Sequence, residues 1–133
     1  MRAERARELL EQGCYLFEDG KVGKAVQAFL SAAKLGDKEA QVNLANLYVS
    51  GEGLRKSFSK ARHWYKRAIT NGSPEAAYNL ANNYRNRGII RWAEFWFERA
   101  REMGDDDALE ELRKLKKRSG AARVSSLHAS RRS

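Results

Sequence analysis

A self-similar pattern with a period of about 34 residues constrains this chain more than any other feature. Three segments begin at Ala25, Ala61 and Ala93, and each has a second alanine seven residues later and a glycine four residues after that. A period in this range is typical of solenoids made of helix pairs, in which each repeat packs mainly against its neighbours. The sequence therefore predicts a stack of similar units rather than one layered fold.

Each repeated segment predicts the second helix of a pair. Its apolar residues fall at positions i, i+3, i+4 and i+7, which lie on one face of an α-helix. These stripe residues are Ala25, Ala28, Phe29 and Ala32, then Ala61, Trp64, Tyr65 and Ala68, then Ala93, Trp96, Phe97 and Ala100. A glycine follows each stripe and could end the helix in the left-handed conformation. The large aromatic residues of the last two stripes are predicted to pack in the core.

After Gly104 the pattern restarts once, with acidic residues first and basic residues last, which suits the dipole of one further helix. No partner helix follows it, so we interpret it as a cap over the apolar edge of the last repeat. The predicted fold is all-α: a right-handed α-α solenoid of about three helix-turn-helix repeats plus a C-terminal capping helix. The predicted domain spans 3–118, with repeats at 3–36, 37–72 and 73–104 and the cap at 105–118.

The basic residues concentrate at the C-terminal end of the sequence. The chain has 26 Lys and Arg against 17 Asp and Glu, which gives a formal net charge of +9. Residues 113–133 hold eight of the basic residues and no acid, so 18 basic residues face all 17 acidic residues in 1–112. The body is therefore near neutral, and its charge does not indicate nucleic-acid binding. Residues 119–133, rich in Ser, Ala and Arg without periodicity, are predicted to form a basic, disordered tail.

The second repeat resembles a Sel-one-like repeat. The residues that carry the resemblance are Ala40, Leu44, Tyr48, Gly51-Glu52-Gly53-Leu54, Lys60-Ala61, Trp64-Tyr65, Ala68 and Gly72. The Gly-x-Gly-Leu loop, four residues longer than the loop of a plain tetratricopeptide repeat, is the specific part. Residues 76–103 resemble a tetratricopeptide repeat, and residues 13–32 do so more weakly. The resemblance implies an adaptor or scaffold that binds other proteins and performs no chemistry.

In solenoids of this kind the first helix of each pair lines a concave face, which is the usual peptide groove. Position matching places Cys14, Asn46 and Asn82 in one column there, and the sequence Asn-Leu-Ala-Asn recurs at 43–46 and 79–82. Amides can hold the backbone of an extended ligand, and an arginine can pair with a ligand carboxylate. The predicted groove residues are Asn43, Asn46, Asn79, Asn82 and Arg85. As alternatives, the first asparagine of each copy ties adjacent repeats together or lies in solvent, and the arginine is simply solvated.

Trp92 is an aromatic residue at a repeat position that is otherwise polar. It aligns with Lys24 and Lys60 in the two preceding repeats. An exposed tryptophan beside Arg91 could anchor a partner or a second copy of this chain. The alternative is that the ring lies flat on its own helix pair.

No residue set for catalysis, for a metal or for a cofactor is evident. The single cysteine and two histidines do not make a metal-ligand set, and no phosphate-binding or dinucleotide-binding glycine loop occurs. One cysteine allows no intrachain disulfide, and the start lacks the apolar stretch of a secretory signal. No apolar run approaches the ~20 residues needed to span a bilayer. We therefore expect a cytoplasmic, non-enzymatic protein with no membrane span.

The sequence predicts a non-catalytic interaction module or adaptor that binds a segment of a partner protein in the concave groove. The alternative is an electrostatic tether, in which the basic tail holds the chain on nucleic acid or another acidic surface. Salt dependence separates the two, because tail binding should weaken steeply with added salt and groove binding only weakly. The sequence does not indicate which partner is bound or which oligomeric state the chain adopts.

Overall fold

The computed structural model of the chain describes residues 1–118, and every regular element in that range is a helix. The first six helices are α1 (Arg2–Glu18), α2 (Val22–Lys34), α3 (Lys38–Ser50), α4 (Phe58–Thr70), α5 (Pro74–Asn86) and α6 (Ile90–Glu102). A seventh helix, α7, begins at 106 and continues to the last described residue, 118. The tail predicted to be disordered, 119–133, lies outside the described residues.

The helices pack as sequential antiparallel pairs: α1 with α2, α3 with α4, and α5 with α6. Between pairs, α2 packs on α3 and α4 packs on α5, and the first helices α3 and α5 also touch. Helix α7 extends the stack beyond the third pair. The structure thus confirms the predicted all-α solenoid of helix pairs with an additional C-terminal helix.

Small residues in the stripes let the helices approach closely. The alanines that begin and end each stripe have no solvent exposure; they are Ala25, Ala32, Ala61, Ala68, Ala93 and Ala100. Large side chains fill the spaces that remain, and Phe97, Leu44 and Leu80 are among the largest that are fully buried. Alternating small and large residues in this way interlocks neighbouring helices at the density of a protein interior.

Among the four aromatic residues of the last two stripes, one differs from the other three. Trp64, Tyr65 and Phe97 are buried as predicted, whereas Trp96 is only half-buried. The Trp96 ring lies beside α4, where the Nζ atom of Lys66 is 5.8 Å from the ring centroid. Trp96 therefore belongs partly to the core and partly to the surface between α4 and α6.

Side-chain caps and glycine turns fix where the helices begin and end. Asp37, Ser57 and Ser73 each accept a hydrogen bond from the backbone N–H three residues further on, at 2.9, 3.2 and 3.1 Å. These bonds satisfy donors that the first turns of α3, α4 and α5 would leave free. Positive φ angles of 101°, 89° and 105° occur at the three predicted helix-ending glycines, Gly36, Gly72 and Gly104. Glycine suits these turns because a Cβ atom would strain them.

Helix α7 covers the apolar edge of the last pair. Ala108, Leu112 and Leu115 are each at most 3% exposed and belong to the same hydrophobic core as the preceding helices. Their spacing of four and then three residues places them on one face of the helix. The core is therefore continuous from the first pair to α7.

Gln41 is a fully buried polar side chain between the first two pairs. Its Nε2 atom donates to the carbonyl oxygen of Ala33 at 3.0 Å, and its Oε1 atom accepts from Asn71 Nδ2 at 3.1 Å. Both ends of the amide are therefore bonded, which offsets the cost of burying it. One side chain of α3 thus joins the end of α2 to the turn that follows α4.

Candidate partner-binding groove

A cavity of about 260 Å³ opens between α1 and α3, the first helices of the first two pairs. The side chains that line it are Cys14, Phe17, Glu18, Phe29, Asn43, Asn46 and Leu47. Apolar surface dominates the cavity, and the two amides and one carboxylate add a few polar groups, a combination typical of ligand pockets. Two predicted groove residues, Asn43 and Asn46, therefore lie together with Cys14 of the predicted column.

The Phe29 ring reaches this cavity because α1 carries a glycine opposite it. Gly13 is buried, and a Cβ atom at this position would lie 2.7 Å from Phe29 Cδ1. That separation is far below the contact distance of two carbon atoms. The ring thus packs directly against the backbone of α1 and forms part of the cavity wall.

Asn46 is exposed, yet its amide oxygen is already engaged. It accepts a hydrogen bond from the Tyr65 hydroxyl and another from Asn79 Nδ2, which lies 3.4 Å away. Burial raises the pKa of Tyr65, so the hydroxyl remains a neutral donor at neutral pH. The contact between Asn46 and Asn79 joins the second and third repeats, which is one of the alternatives that the sequence left open for Asn79.

Asn43 is the predicted groove residue whose amide remains available. It is half-buried at the cavity, and none of the side-chain hydrogen bonds formed within residues 1–118 involves it. The amides of Asn46, Asn79 and Asn82 all form such bonds. An amide with free donors and a free acceptor can hold a ligand without first breaking an internal contact.

Arg85, at the other end of the predicted column, is paired within the chain. Its guanidinium forms an ion pair with Glu111 of α7 and donates a hydrogen bond to Asn82 Oδ1. It also lies 5.6 Å from the centroid of the Phe97 ring. The side chains of Arg85 and Glu111 are only 26% and 15% exposed. Arg85 is therefore not simply solvated, and a ligand carboxylate would have to displace Glu111 to reach it.

The groove contains one thiol, that of Cys14. Burial raises the pKa of Cys14, which favours the neutral thiol over the nucleophilic thiolate. Across residues 1–118 no group of three or more His, Cys, Asp or Glu side chains is placed to hold a metal ion. None of the helices in the described part of the chain is long and apolar enough to cross a membrane.

Trp92 lies in a patch of aromatic residues on α6. Trp92 is 45% exposed and Phe95 is 53% exposed, with their ring centroids 5.6 Å apart. Trp96 continues the patch at 5.0 Å from Phe95. The sequence reasoning missed Phe95, although its repeat position gives a signal: the matching residues are Gln27 and His63, both polar.

Stacked antiparallel helix pairs with a pocket between first helices define a helical-repeat protein. Proteins of this class are typically protein-binding modules and are generally non-catalytic. The chain belongs to the Sel1 repeat family, which matches residues 38–73 and 74–105. The resemblance that the Gly-x-Gly-Leu loop indicated is therefore confirmed.

Solved structures share the same architecture. A Sel1 repeat protein from Oxalobacter formigenes is 28% identical, with a TM-score of 0.67, and the match covers 82% of this chain and 88% of that one. The first TPR domain of Spaghetti (RPAP3), bound to an HSP90 peptide, is 20% identical, with a TM-score of 0.69 and coverage of 89% and 95%.

The Yersinia enterocolitica type III secretion chaperone SycD, in complex with a peptide of the translocator YopD, is 16% identical, with a TM-score of 0.68 and coverage of 85% and 93%. At such identities these last two structures show a common fold only. No protein with a curated description matches the chain in sequence.

Proposed function

We propose that this protein is a non-catalytic adaptor that binds a segment of a partner protein in its concave groove. The observation that carries the proposal is the cavity between α1 and α3, where the Asn43 amide, which forms no side-chain hydrogen bond among the described residues, lies beside apolar side chains. An apolar anchor of the partner would fill the cavity, and the Asn43 amide would bond the partner backbone. The peptides bound by the TPR domain of Spaghetti and by SycD support a groove of this kind.

The N-terminal half of the groove is the better place for ligand contact. Within residues 1–118 Asn43 has no side-chain hydrogen bond to break, whereas Asn82 is held by Arg85, and Arg85 by Glu111. We therefore propose Asn43 as the principal contact and Asn46 as a secondary one. Asn82 and Arg85 would contribute to binding only when a ligand carboxylate competes with Glu111.

The test is an affinity capture from native lysate with the wild-type chain and with Asn43→Ala. The alanine variant should keep its helicity, because the amide forms no side-chain hydrogen bond inside residues 1–118 and alanine favours helix. Purified partner should bind the variant about tenfold more weakly, because hydrogen bonds to the ligand are lost. The matched control is Asn83→Ala on α5, a half-buried asparagine that lines no part of this cavity.

Cys14 supplies a direct readout of occupancy. It is the single cysteine of the chain and lines the cavity, so bound partner should slow its labelling by a maleimide. A partner that binds Asn43→Ala as tightly as wild type, and leaves Cys14 labelling unchanged, would rule out the groove.

The electrostatic tether is tested in the same assay with the chain ended after Arg118. Loss of all binding in this variant, together with a steep salt dependence, would replace the adaptor by the tether. Unchanged affinity at physiological salt would support the groove.

A further inference from the structure

A second groove lies between α4 and α6, the second helices of the last two pairs. It encloses about 470 Å³. Its wall combines basic and aromatic side chains, among them Arg62, Lys66, Arg87, Phe58, Trp92 and Trp96. It shares no residue with the cavity between α1 and α3. The two sites are therefore separate surfaces.

The preceding repeat fills the corresponding groove from within the chain. The loop 51–57 packs against α2, where a Cβ atom added to Gly53 would overlap Val22 and closely approach Val26. In the third pair the loop between α5 and α6 comprises only residues 87–89, so it has no segment that could cover the groove between α4 and α6. The shorter loop leaves open a surface that the longer loop closes one repeat earlier.

The side chains at this surface change together with the loop. Val26 and Leu30 of α2 occupy the repeat positions that Arg62 and Lys66 occupy in α4. Apolar residues that pack under a loop are thus replaced by cations where the loop is short. The open groove is accordingly basic and aromatic rather than simply apolar.

The basic side chains of the groove lack acidic partners among residues 1–118. No carboxylate oxygen of the described chain lies within 4.0 Å of Arg62, Lys66 or Arg87, and no acidic residue lines this groove. The acidic side chains of Glu94, Glu98 and Glu102 line the adjoining surface, on the far side of Trp92 and Trp96 from Arg62 and Arg87. Two of these cations contact one ring instead: the Cζ atoms of Arg87 and Arg62 lie 3.9 and 5.8 Å from the Phe58 centroid. A cluster of cations without counter-charges attracts an acidic ligand.

We propose that the groove between α4 and α6 binds an acidic peptide segment of a partner protein that also carries an aromatic or aliphatic side chain. Carboxylates of the peptide pair with Arg62, Lys66 and Arg87 in charge-assisted hydrogen bonds. The apolar side chain packs on the exposed face of Trp92, since half-exposed tryptophans are frequent anchors at interfaces. The site is additional to the concave groove and does not depend on it.

Single-stranded nucleic acid fits this groove less well than an acidic peptide does. Bases bind such proteins by stacking on open ring faces. Here cations already contact two of the rings, Phe58 through Arg87 and Trp96 through Lys66. In addition, three basic side chains form only a short track, which could contact few phosphates of a nucleic-acid backbone.

The test is a selection of displayed random peptides, about 12 residues long, a length that spans a groove between two helices. Peptides selected on the wild-type chain are synthesised, and their affinities are measured for wild type, Arg87→Gln, Trp92→Ala and Lys24→Gln. Lys24 is the matched control, because it occupies the repeat position of Trp92 on α2 and its change removes one positive charge. Circular dichroism confirms that each variant remains folded.

The expected result is a class of peptides rich in Asp and Glu, with at least one Leu, Phe or Trp. Arg87→Gln and Trp92→Ala should each lower the affinity for these peptides about fivefold or more, and Lys24→Gln should change it less than about twofold. The variant Asn43→Ala should bind them normally, which separates this site from the concave groove.

Three outcomes would overturn the proposal. The first is a selection that yields no acidic peptide whose binding is weakened by Arg87→Gln and Trp92→Ala. The second is an equal loss of affinity in Lys24→Gln, which would indicate general charge attraction. The third is an oligodeoxythymidine of about 15 nucleotides that binds more tightly than any peptide and is lost in the same variants, since that would make nucleic acid the ligand.

Discussion

The two halves of the predicted groove carry the same repeated tetrad, Asn-Leu-Ala-Asn, but their polar side chains have different partners. In the N-terminal half, Asn43 stands at a cavity with an amide that is not engaged within residues 1–118. In the C-terminal half, Asn82 is bonded to Arg85, and Arg85 is paired with Glu111. Helix α7 supplies the carboxylate that holds Arg85 beside Asn82. A capping helix can therefore neutralise the groove beside it as well as cover apolar surface.

Removing α7, which distinguishes the C-terminal half from the N-terminal half, should cause the largest loss of stability. A chain ended after Gly104 loses Leu112 and Leu115, which are buried in the shared core. We expect the free energy of unfolding to fall by about 3 kcal/mol or more, measured by urea denaturation. The control, a chain ended after Arg118, should unfold at the same urea concentration as the full chain. Equal midpoints for the two truncated chains would contradict the role of α7 as a structural cap.

Gly13→Ala should perturb the N-terminal half instead. The new methyl group would collide with Phe29, so the ring must move into the cavity that it now lines. We expect a loss of about 1–3 kcal/mol in the free energy of unfolding and a smaller cavity.

The matched control for this change is Gly23→Ala in α2, where a Cβ atom meets nothing within 4 Å. That substitution should raise stability by about 0.5–1 kcal/mol, because alanine favours helix more than glycine does. Similar effects of the two alanines on thermal unfolding would show that Phe29 does not pack on the α1 backbone as described.

Glu111→Gln should make the C-terminal half of the groove more like the N-terminal half, because Arg85 would become available to a ligand. The change removes the charge that Arg85 is paired with in a partly buried site, and we expect it to cost about 1–2 kcal/mol. It should also let Arg85 bind a carboxylate-bearing partner more tightly.

The control is Glu110→Gln, whose exposed pair with Arg113 spans 4.0 Å and should contribute no more than about 0.5 kcal/mol. A double-mutant cycle between Glu111→Gln and Arg85→Gln measures the coupling. A coupling energy near zero would contradict the explanation that the pair with Glu111 keeps Arg85 from binding a ligand.

Tyr65→Phe should cause the smallest loss of stability of these changes. The hydroxyl donates to Asn46 in a partly buried position, and its loss should lower the free energy of unfolding by about 1 kcal/mol. Tyr15→Phe, at a side chain that is 69% exposed, serves as the control and should change nothing measurable. A larger change for Tyr15 than for Tyr65 in thermal unfolding would contradict the hydrogen bond.

The fold could be predicted from sequence because its determinants are local and repeat. Alanines at fixed offsets require close helix packing, and glycines such as Gly36 and Gly72 mark turns that only a residue without Cβ enters easily. The serine and proline at 73 and 74 likewise predict a helix start, and the Ser73 hydroxyl caps α5. Such signals are read from neighbouring positions and need no knowledge of the tertiary contacts.

The site could be predicted only in part. Repeat alignment placed Asn46 in one column with Cys14, and these residues line one cavity with Asn43, but the alignment could not say which amides form hydrogen bonds within residues 1–118. That depends on contacts between residues far apart in sequence, such as Arg85 with Glu111 across 26 positions. The exposed Phe95 was missed for a different reason: hydrophobicity alone suggests burial, and the polar residues at the matching positions, Gln27 and His63, were not compared with it.

Gln41 has a consequence for how the repeats come apart. A solenoid held only by contacts between neighbouring units can unravel in steps from either end. Here the Gln41 amide bonds Ala33 at the end of α2 and Asn71 after α4, so separating either segment leaves a buried polar group unpaired. The backbone amides of α2, α3 and α4 should therefore exchange with solvent as one cooperative unit, and the outer helices should open before them.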